Sequence, residues 1–209
     1  KAVGVNGARG MVIDLDSTDP EGWDKDTFIT RNKLDSIVYE AHVRDLTIDS
    51  SSGVSEANRG KFLGLTETGT KNAHGYSTAL DHLKELGITE IHILPMFDYS
   101  SVNEASTEPQ FNWGYDPLNY NVPEGSYSTN PYNGEVRINE LKQMVMALHN
   151  AGIRVVMDVV YNHTSKTADS NFSLIVPGYY YRMANGSFLN GSGCGNETAS
   201  ERAMYRKFM

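Results

Sequence analysis

Three side chains that could bind or orient a substrate lie close together in VVMDVVYNH, residues 155–163. Asp158 interrupts an apolar run in which an unpaired carboxylate would be costly to bury. Alternation along a strand places Asp158, Val160 and Asn162 on one side, with His163 at the exit. Such a group could serve a functional site, or Asp158 and His163 could form a self-contained pair that holds a loop. Taken alone, the pattern favours the structural pair.

A second candidate is FNWGYDPLNYNVPEGSYSTNP, residues 111–131, which has neither a helical nor a strand period. We call it the aromatic segment. Its rings can stack on the C–H faces of sugars, and its Asn, Asp and Tyr side chains can hydrogen-bond hydroxyl groups. A packed surface loop whose rings cover one end of the domain would explain the same composition. The residues alone leave both interpretations open.

Strand and helix patterns alternate from about residue 36 onwards and must position these groups. Strands are predicted at 36–46, 88–97 and 153–163, and helices at 76–87 and 138–152. The last strand is apolar almost throughout, which predicts burial on both faces. Repeated βα units predict an α/β fold with a parallel sheet. A doubly wound open sheet is the alternative, but no Gly-rich phosphate loop follows any strand.

Long irregular segments follow the second and third predicted strands, at residues 98–137 and 164–197. Barrel enzymes build their sites from the loops at the carboxyl ends of the strands. Loops of this length in a compact domain are usually functional or disordered, and these are too aromatic for disorder. The aromatic segment is therefore predicted to form a binding surface at the mouth of a barrel.

Residues 1–34 show a different pattern. Two short apolar runs flank Asn6 and Gly7, a strong hairpin signal, and Pro20 and Gly22 then turn the chain. Two strands alone are marginal in water. We therefore predict that this part is the last hairpin of a β-domain.

Composition narrows the classes of partner. The 209 residues hold 18 Lys and Arg against 26 Asp and Glu, a net charge of −8, with no basic run. This argues against nucleic acid and anionic membranes as partners, and no apolar stretch is long enough for a membrane span. A single cysteine, Cys194, excludes an internal disulfide framework and leaves the compartment open, whether cytoplasmic, secreted or cell-surface. Four histidines are interpreted as packing residues: His42, His82, His92 and His149.

Two motifs resemble a known family. DVVYNHT, residues 158–164, resembles the first signature region of the α-amylase superfamily of glycoside hydrolases. The aromatic segment is similar to one typical of bacterial type I pullulanases, which cleave α-1,6 branches, and is the more specific motif. The likeness continues through IVYEAHVRDL, GIRVVMDVVYNHT, PGYYYR and NGSGCGNETASER. The start, VNGARGMVIDLDSTDPEGW, resembles the tail of the starch-binding-like β-sandwich that precedes the barrel in these enzymes.

The resemblance implies a fold and a mechanism. Residues 1–34 would end a β-sandwich, and residues 35–209 would form about the first three βα units of a (β/α)8 TIM barrel, stopping within the third helix. The family uses a retaining mechanism, in which an Asp attacks the anomeric carbon and a Glu protonates the leaving oxygen. Both carboxylates lie on later strands, and no Gly-Phe-Arg-Phe-Asp-like segment is present here. The chain is therefore expected to contain no catalytic residue and to be inactive alone, although its parent is a glycoside hydrolase.

The resemblance also assigns the substrate-binding half of the site. His163 matches the histidine that hydrogen-bonds the sugar at the scissile bond, and Tyr115 matches the ring beneath that sugar. Trp113 and Asp116 belong to the same motif and are expected to bind substrate.

Two further positions are expected to support the site. Asp158 matches an aspartate that acts through an Arg outside this chain. Asn162 matches a structural position that is a calcium ligand in many α-amylases, so calcium is possible, while the chemistry requires no cofactor. The expected partners are an α-glucan (pullulan, starch or glycogen) and the remainder of the parent polypeptide.

Two other functions stay open at this point. The chain could be a non-catalytic α-glucan-binding polypeptide that keeps the pocket without the carboxylates. An isoamylase or branching-type enzyme of the same superfamily is the neighbouring enzymatic alternative, which the pullulanase-type aromatic segment disfavours.

Overall fold

A three-stranded parallel sheet forms the centre of the computed structural model, which describes residues 2–7 and 9–209. The strands lie in the order β1 (Val38–Ala41), β2 (Glu90–Ile93) and β3 (Arg154–Met157). The register pairs Val38 with Glu90 and Glu90 with Arg154. All three carboxyl ends therefore meet at one edge, as the predicted α/β fold requires.

Two helices connect these strands. Helix α1 (Ala79–Leu86) ends at Gly87, whose φ of 73° is the left-handed conformation that glycine adopts readily. Helix α2 (Gly134–Asn150) begins four residues before the predicted start, because the side chain of Asn133 accepts a hydrogen bond from Glu135 N and caps it. None of the helices in the described ranges is long and apolar enough to span a bilayer.

One face of the sheet is covered and the other is open. Ile91 and Ile93 pack with Leu83, Met144 and Leu148 of the two helices in the main hydrophobic cluster. On the opposite face Val38 is 58% exposed and Val156 is 44% exposed.

The prediction of a long third strand buried on both faces is wrong. Strand β3 ends at Met157, so Asp158 and Asn162 do not share a strand face, and Asn162 is exposed. The strand lies at the edge of the sheet, and one of its faces is left uncovered. An apolar run does not reveal whether a neighbouring segment covers one face of a strand or both.

The segment after β3 contains short elements. These are α3 (Asn171–Ile175), the antiparallel pair β4 (Met183–Ala184) and β5 (Ser187–Phe188), and α4 (Ala203–Phe208).

The N-terminal residues show only part of the predicted hairpin. A single antiparallel bridge joins Val3 to Gly10 around a 3-10 turn at Val5–Gly7. Residues 1 and 8 of the predicted β-domain lie outside the described residues. The segment packs on α2, where Lys142 bonds to Thr18 Oγ1 at 2.9 Å. A separate domain ending at residue 34 stays a prediction.

Candidate functional site

The two segments that follow β2 and β3 meet at the carboxyl edge of the sheet. Tyr115 Oη donates a hydrogen bond to Asp158 Oδ2 at 2.8 Å. His163 Nε2 lies 2.8 Å from the carbonyl oxygen of Tyr115. The structure thus brings together three residues that the sequence singled out in two distant motifs.

His163 is buried and contacts protein atoms through both ring nitrogens. Its Nδ1 lies 2.9 Å from Asn162 Oδ1, and its own carbonyl accepts a hydrogen bond from Tyr120 Oη. A ring held this way fixes the backbone of Tyr115. Direct hydrogen bonding to a ligand would require Nε2 to leave that carbonyl.

Asp158 is half-buried, and a third group approaches it. The Nε2 atom of His92 lies 3.9 Å from Asp158 Oδ2, on the open face of the sheet. The sequence predicts His92 to be a packing residue and does not reveal this contact. The alternation of side chains in β2 could have indicated this contact, because Glu90 and His92 face away from the side on which Ile91 and Ile93 are buried.

The aromatic segment presents exposed rings from a well-anchored backbone. Trp113 is 61% exposed and Tyr115 is 40% exposed. Between them, Gly114 has a φ of 89°, and a Cβ placed there would lie 2.5 Å from the carbonyl oxygen of Pro95. Only glycine satisfies both constraints, so the backbone crosses the end of β2 closely while the flanking rings stay outside.

Asp116 serves this anchoring. Asn112 Nδ2 donates to its Oδ1 at 2.8 Å, and the hydroxyl of Ser101 donates to its Oδ2. Both oxygens of the carboxylate therefore hold the loop that carries Trp113 and Tyr115.

Partial burial, followed by the hydrogen bond to the Asp158 carboxylate, raises the pKa of Tyr115 to about 12. The phenol therefore keeps its proton at neutral pH and is the donor in that bond. Its fixed orientation turns the aromatic ring into a rigid surface on the open side of the loop.

Asn162 and a group of three carboxylates are the candidates for a metal. Calcium takes six to eight oxygen ligands, and Asn162 offers one side-chain oxygen that already contacts His163. Asp98, Glu104 and Glu124 lie together elsewhere, within 4.8 Å of one another. Arg137 forks onto Glu104 there, and burial raises the pKa of Asp98 to about 7 and of Glu124 to about 8. The guanidinium thus offsets one carboxylate charge, and burial favours the protonated forms of the other two.

Residues 59–173 match the family model for the α-amylase catalytic domain. The chain is 44% identical over its full length to pullulanase from Bacillus subtilis (strain 168) and spans 29% of that protein.

Two solved structures are similar throughout. The crystal structure of pullulanase from Paenibacillus barengoltzii in complex with maltohexaose and α-cyclodextrin superimposes with a TM-score of 0.95 at 52% identity. It covers all of this chain, which spans 33% of it. Pullulanase from Bacillus acidopullulyticus gives 0.93 and 51% identity, with 99% of this chain and 25% of that one covered. The predicted partial barrel and the resemblance to pullulanases are thereby confirmed.

Proposed function

Because this chain belongs to the α-amylase family, we propose that it forms part of a pullulanase-type glycoside hydrolase acting on α-1,6 branch linkages. The substrates would be α-glucans such as pullulan, starch or glycogen. The chain spans about a third or less of the relatives named above, so the activity belongs to the longer polypeptide.

The observation that carries the proposal is the Tyr115–Asp158–His163 group at the carboxyl edge of the sheet. Strand ends of this kind hold the active sites of barrel enzymes. Exposed Trp113 and Tyr115 rings beside fixed polar groups suit a sugar, which has apolar faces and a hydroxyl rim. A relative that binds maltohexaose supports the same class of ligand.

Each residue has a distinct role in this proposal. Tyr115 stacks under the sugar next to the scissile bond, and Trp113 extends that surface. Asp158 orients the Tyr115 phenol, and His163 holds the Tyr115 backbone and faces the same subsite. Asp116 secures the loop that carries the two rings. In this way it places the polar edge of that loop near the sugar.

The nucleophile and the acid would come from parts of the polypeptide outside these 209 residues. In a retaining reaction the carboxylate displaces the leaving oxygen at the anomeric carbon while the acid protonates it, and water then hydrolyses the glycosyl-enzyme. The chain by itself is proposed to bind substrate without cleaving it. Calcium at Asn162, completed by ligands from elsewhere, stays part of the proposal, and the chemistry itself requires no cofactor.

The alternatives make different predictions. A non-catalytic glucan-binding polypeptide would bind maltotriose without releasing reducing sugar, whatever its length. An isoamylase or branching-type enzyme would prefer branched glycogen to pullulan, but the relatives named above are pullulanases.

The test compares the longer polypeptide with the 209-residue chain. Reducing-sugar release is measured on pullulan, on glycogen and on unbranched amylose. We expect the longer polypeptide to cleave pullulan and to leave amylose intact, with no release by the short chain above buffer. Cleavage of amylose in preference to pullulan, or binding without cleavage by the longer polypeptide, would overturn the proposal.

A further inference from the structure

Arg137, in the first turn of α2, is fully buried and belongs to none of the groups described at the strand ends. Its guanidinium meets Glu104 in a fork, with Nη1–Oε1 and Nη2–Oε2 distances of 2.7 Å each. Such a bidentate pair fixes distance and plane together. Buried ion pairs add little stability over apolar packing, so the geometry that this one fixes is the more informative property.

The remaining donors of Arg137 all go to the backbone of the aromatic segment. Nε and Nη2 donate to the carbonyl oxygen of Pro131 at 3.1 and 2.6 Å, and Nη1 donates to that of Pro123 at 3.2 Å. A guanidinium has five N–H donors, and together with the Glu104 fork all five are engaged. Lysine has three donors and no planar fork, so it could not replace this set.

The segment also packs directly on the ion pair. Gly125 N donates to Glu104 Oε1 at 2.9 Å, and a Cβ at Gly125 would overlap the guanidinium and the carboxylate. Asp98 Oδ1 lies 3.7 Å from Arg137 Nη1, while its Oδ2 accepts from Asn119 Nδ2 at 2.6 Å.

The connection continues to the exposed rings. The backbone carbonyl of Asp98 accepts hydrogen bonds from Leu118 N at 2.8 Å and Asn119 N at 3.1 Å. Tyr99 and Pro117 form an antiparallel bridge, which leaves one residue, Asp116, between the bridge and Tyr115. Contacts centred on Arg137 thus hold residues 123–131 of the segment directly and, through Asp98, residues 117–119 next to the rings.

We propose that Arg137 is a positioning residue for substrate binding: its fork with Glu104 fixes the aromatic segment in the conformation that presents Trp113 and Tyr115. The proposal rests on the proposed function for the identity of the substrate. It also makes a claim about the segment itself that can be tested without any reaction.

The test uses Arg137→Lys and Glu104→Gln in the longer polypeptide. The first keeps the charge and loses the fork; the second keeps the shape and loses the ion pair. Arg154→Lys is the matched control, because Arg154 pairs with Glu90 at the opposite end of the sheet and does not contact the aromatic segment.

Hydrogen–deuterium exchange is followed peptide by peptide well below the melting temperature. In both test variants we expect amides of residues 111–119 to exchange at least about tenfold faster, with strands β1 and β2 unchanged. KM for pullulan should rise about threefold to tenfold with kcat nearly constant, because binding is weakened equally in ground and transition states. The Arg154→Lys variant should change neither measurement.

Unchanged exchange at 111–119 in folded test variants would overturn the proposal. So would faster exchange spread equally over the sheet, or failure of both variants to fold, since either shows a role in global stability. If the wild-type polypeptide does not cleave pullulan, the proposed function fails, while the exchange data still decide the role of Arg137.

Discussion

Tyr115 and Asp158 stand 43 residues apart in sequence, yet the Tyr115 phenol donates to the Asp158 carboxylate at 2.8 Å. The bond joins the loop after β2 to the end of β3. A ligand that packs on the Tyr115 ring therefore contacts a side chain that is fixed to the end of a sheet strand as well as to its own loop.

Tyr115→Ala in the longer polypeptide should reduce transition-state stabilisation, calculated from kcat/KM on pullulan, by roughly 1–3 kcal/mol, because it removes both the stacking ring and its hydrogen bond. Tyr115→Phe keeps the ring and should reduce the same quantity by only roughly 0.5–1.5 kcal/mol. Kinetics and melting temperature are measured for both. A fall in melting temperature with normal kinetics would reduce the aromatic segment to a cover over the barrel end.

His163→Ala should also reduce transition-state stabilisation, calculated from kcat/KM, by roughly 1–3 kcal/mol, because the Tyr115 carbonyl loses the donor that fixes it. Since His163 is buried, the variant should lose stability as well. Tyr120→Phe is the control: it removes the hydrogen bond to the His163 carbonyl and leaves the Nε2–Tyr115 bond in place. Equal kinetic loss in the two variants would contradict a role through Tyr115.

The sequence predicts the order of the helices and central strands, but it overstates the length of all three strands and reveals few long-range contacts. Helix α1 was predictable because Leu80 and Leu83 mark its buried face and Gly87 its end. The extent of β3 was not, since Val156 is apolar and yet 44% exposed. The pairing of buried charges, such as Arg137 with Glu104, depends on packing between distant segments. Such packing leaves no periodic pattern in the sequence.

Asp98 and Glu124 should contribute less to the free energy of unfolding as the pH rises from about 4 to 8. Burial, the largest cause for both, raises the pKa of Asp98 to about 7 and of Glu124 to about 8. Unfolded carboxyls titrate near pH 4, so the folded state holds more protons in this window. The contribution is complete below about pH 4 and is lost above about pH 8.

Urea unfolding of the longer polypeptide at pH 5.5 and 8.5 measures this effect. Asp98→Asn mimics the protonated side chain and should reduce the pH-dependent loss by roughly 1–3 kcal/mol relative to wild type. Glu201→Gln is the control, since its bond to Arg182 holds the pKa of Glu201 below the usual value, and Glu201 therefore stays ionised at both pH values measured. Equal slopes for Asp98→Asn and wild type would refute the assignment.

The open sheet face predicts how the isolated chain behaves. Val38, Val156 and Val159 are exposed beside the uncovered edges of β1 and β3. Such a surface associates with other chains in water. Light scattering after size exclusion should therefore show self-association of the 209-residue chain, and a monomer that melts cooperatively would contradict this prediction.

Gly114→Ala tests the close approach beneath the exposed rings. Alanine would have to adopt a φ near 89°, and its Cβ would meet the carbonyl oxygen of Pro95 at 2.5 Å. Gly193→Ala is the matched control, because Gly193 has a φ of 77° and nothing lies within 4 Å of a Cβ there. The control should lose roughly 1 kcal/mol of stability from backbone strain alone.

Gly114→Ala should lose more than the control, by roughly 1–3 kcal/mol, since the backbone of Pro95 cannot move without shifting the end of β2. The same shift carries Trp113 and Tyr115 with it, so kcat/KM on pullulan should fall in Gly114→Ala and stay normal in Gly193→Ala. Urea unfolding and pullulan kinetics of the two variants decide the point. Equal losses of stability would mean that φ alone requires the glycine, and normal kinetics in Gly114→Ala would separate the position of these rings from catalysis.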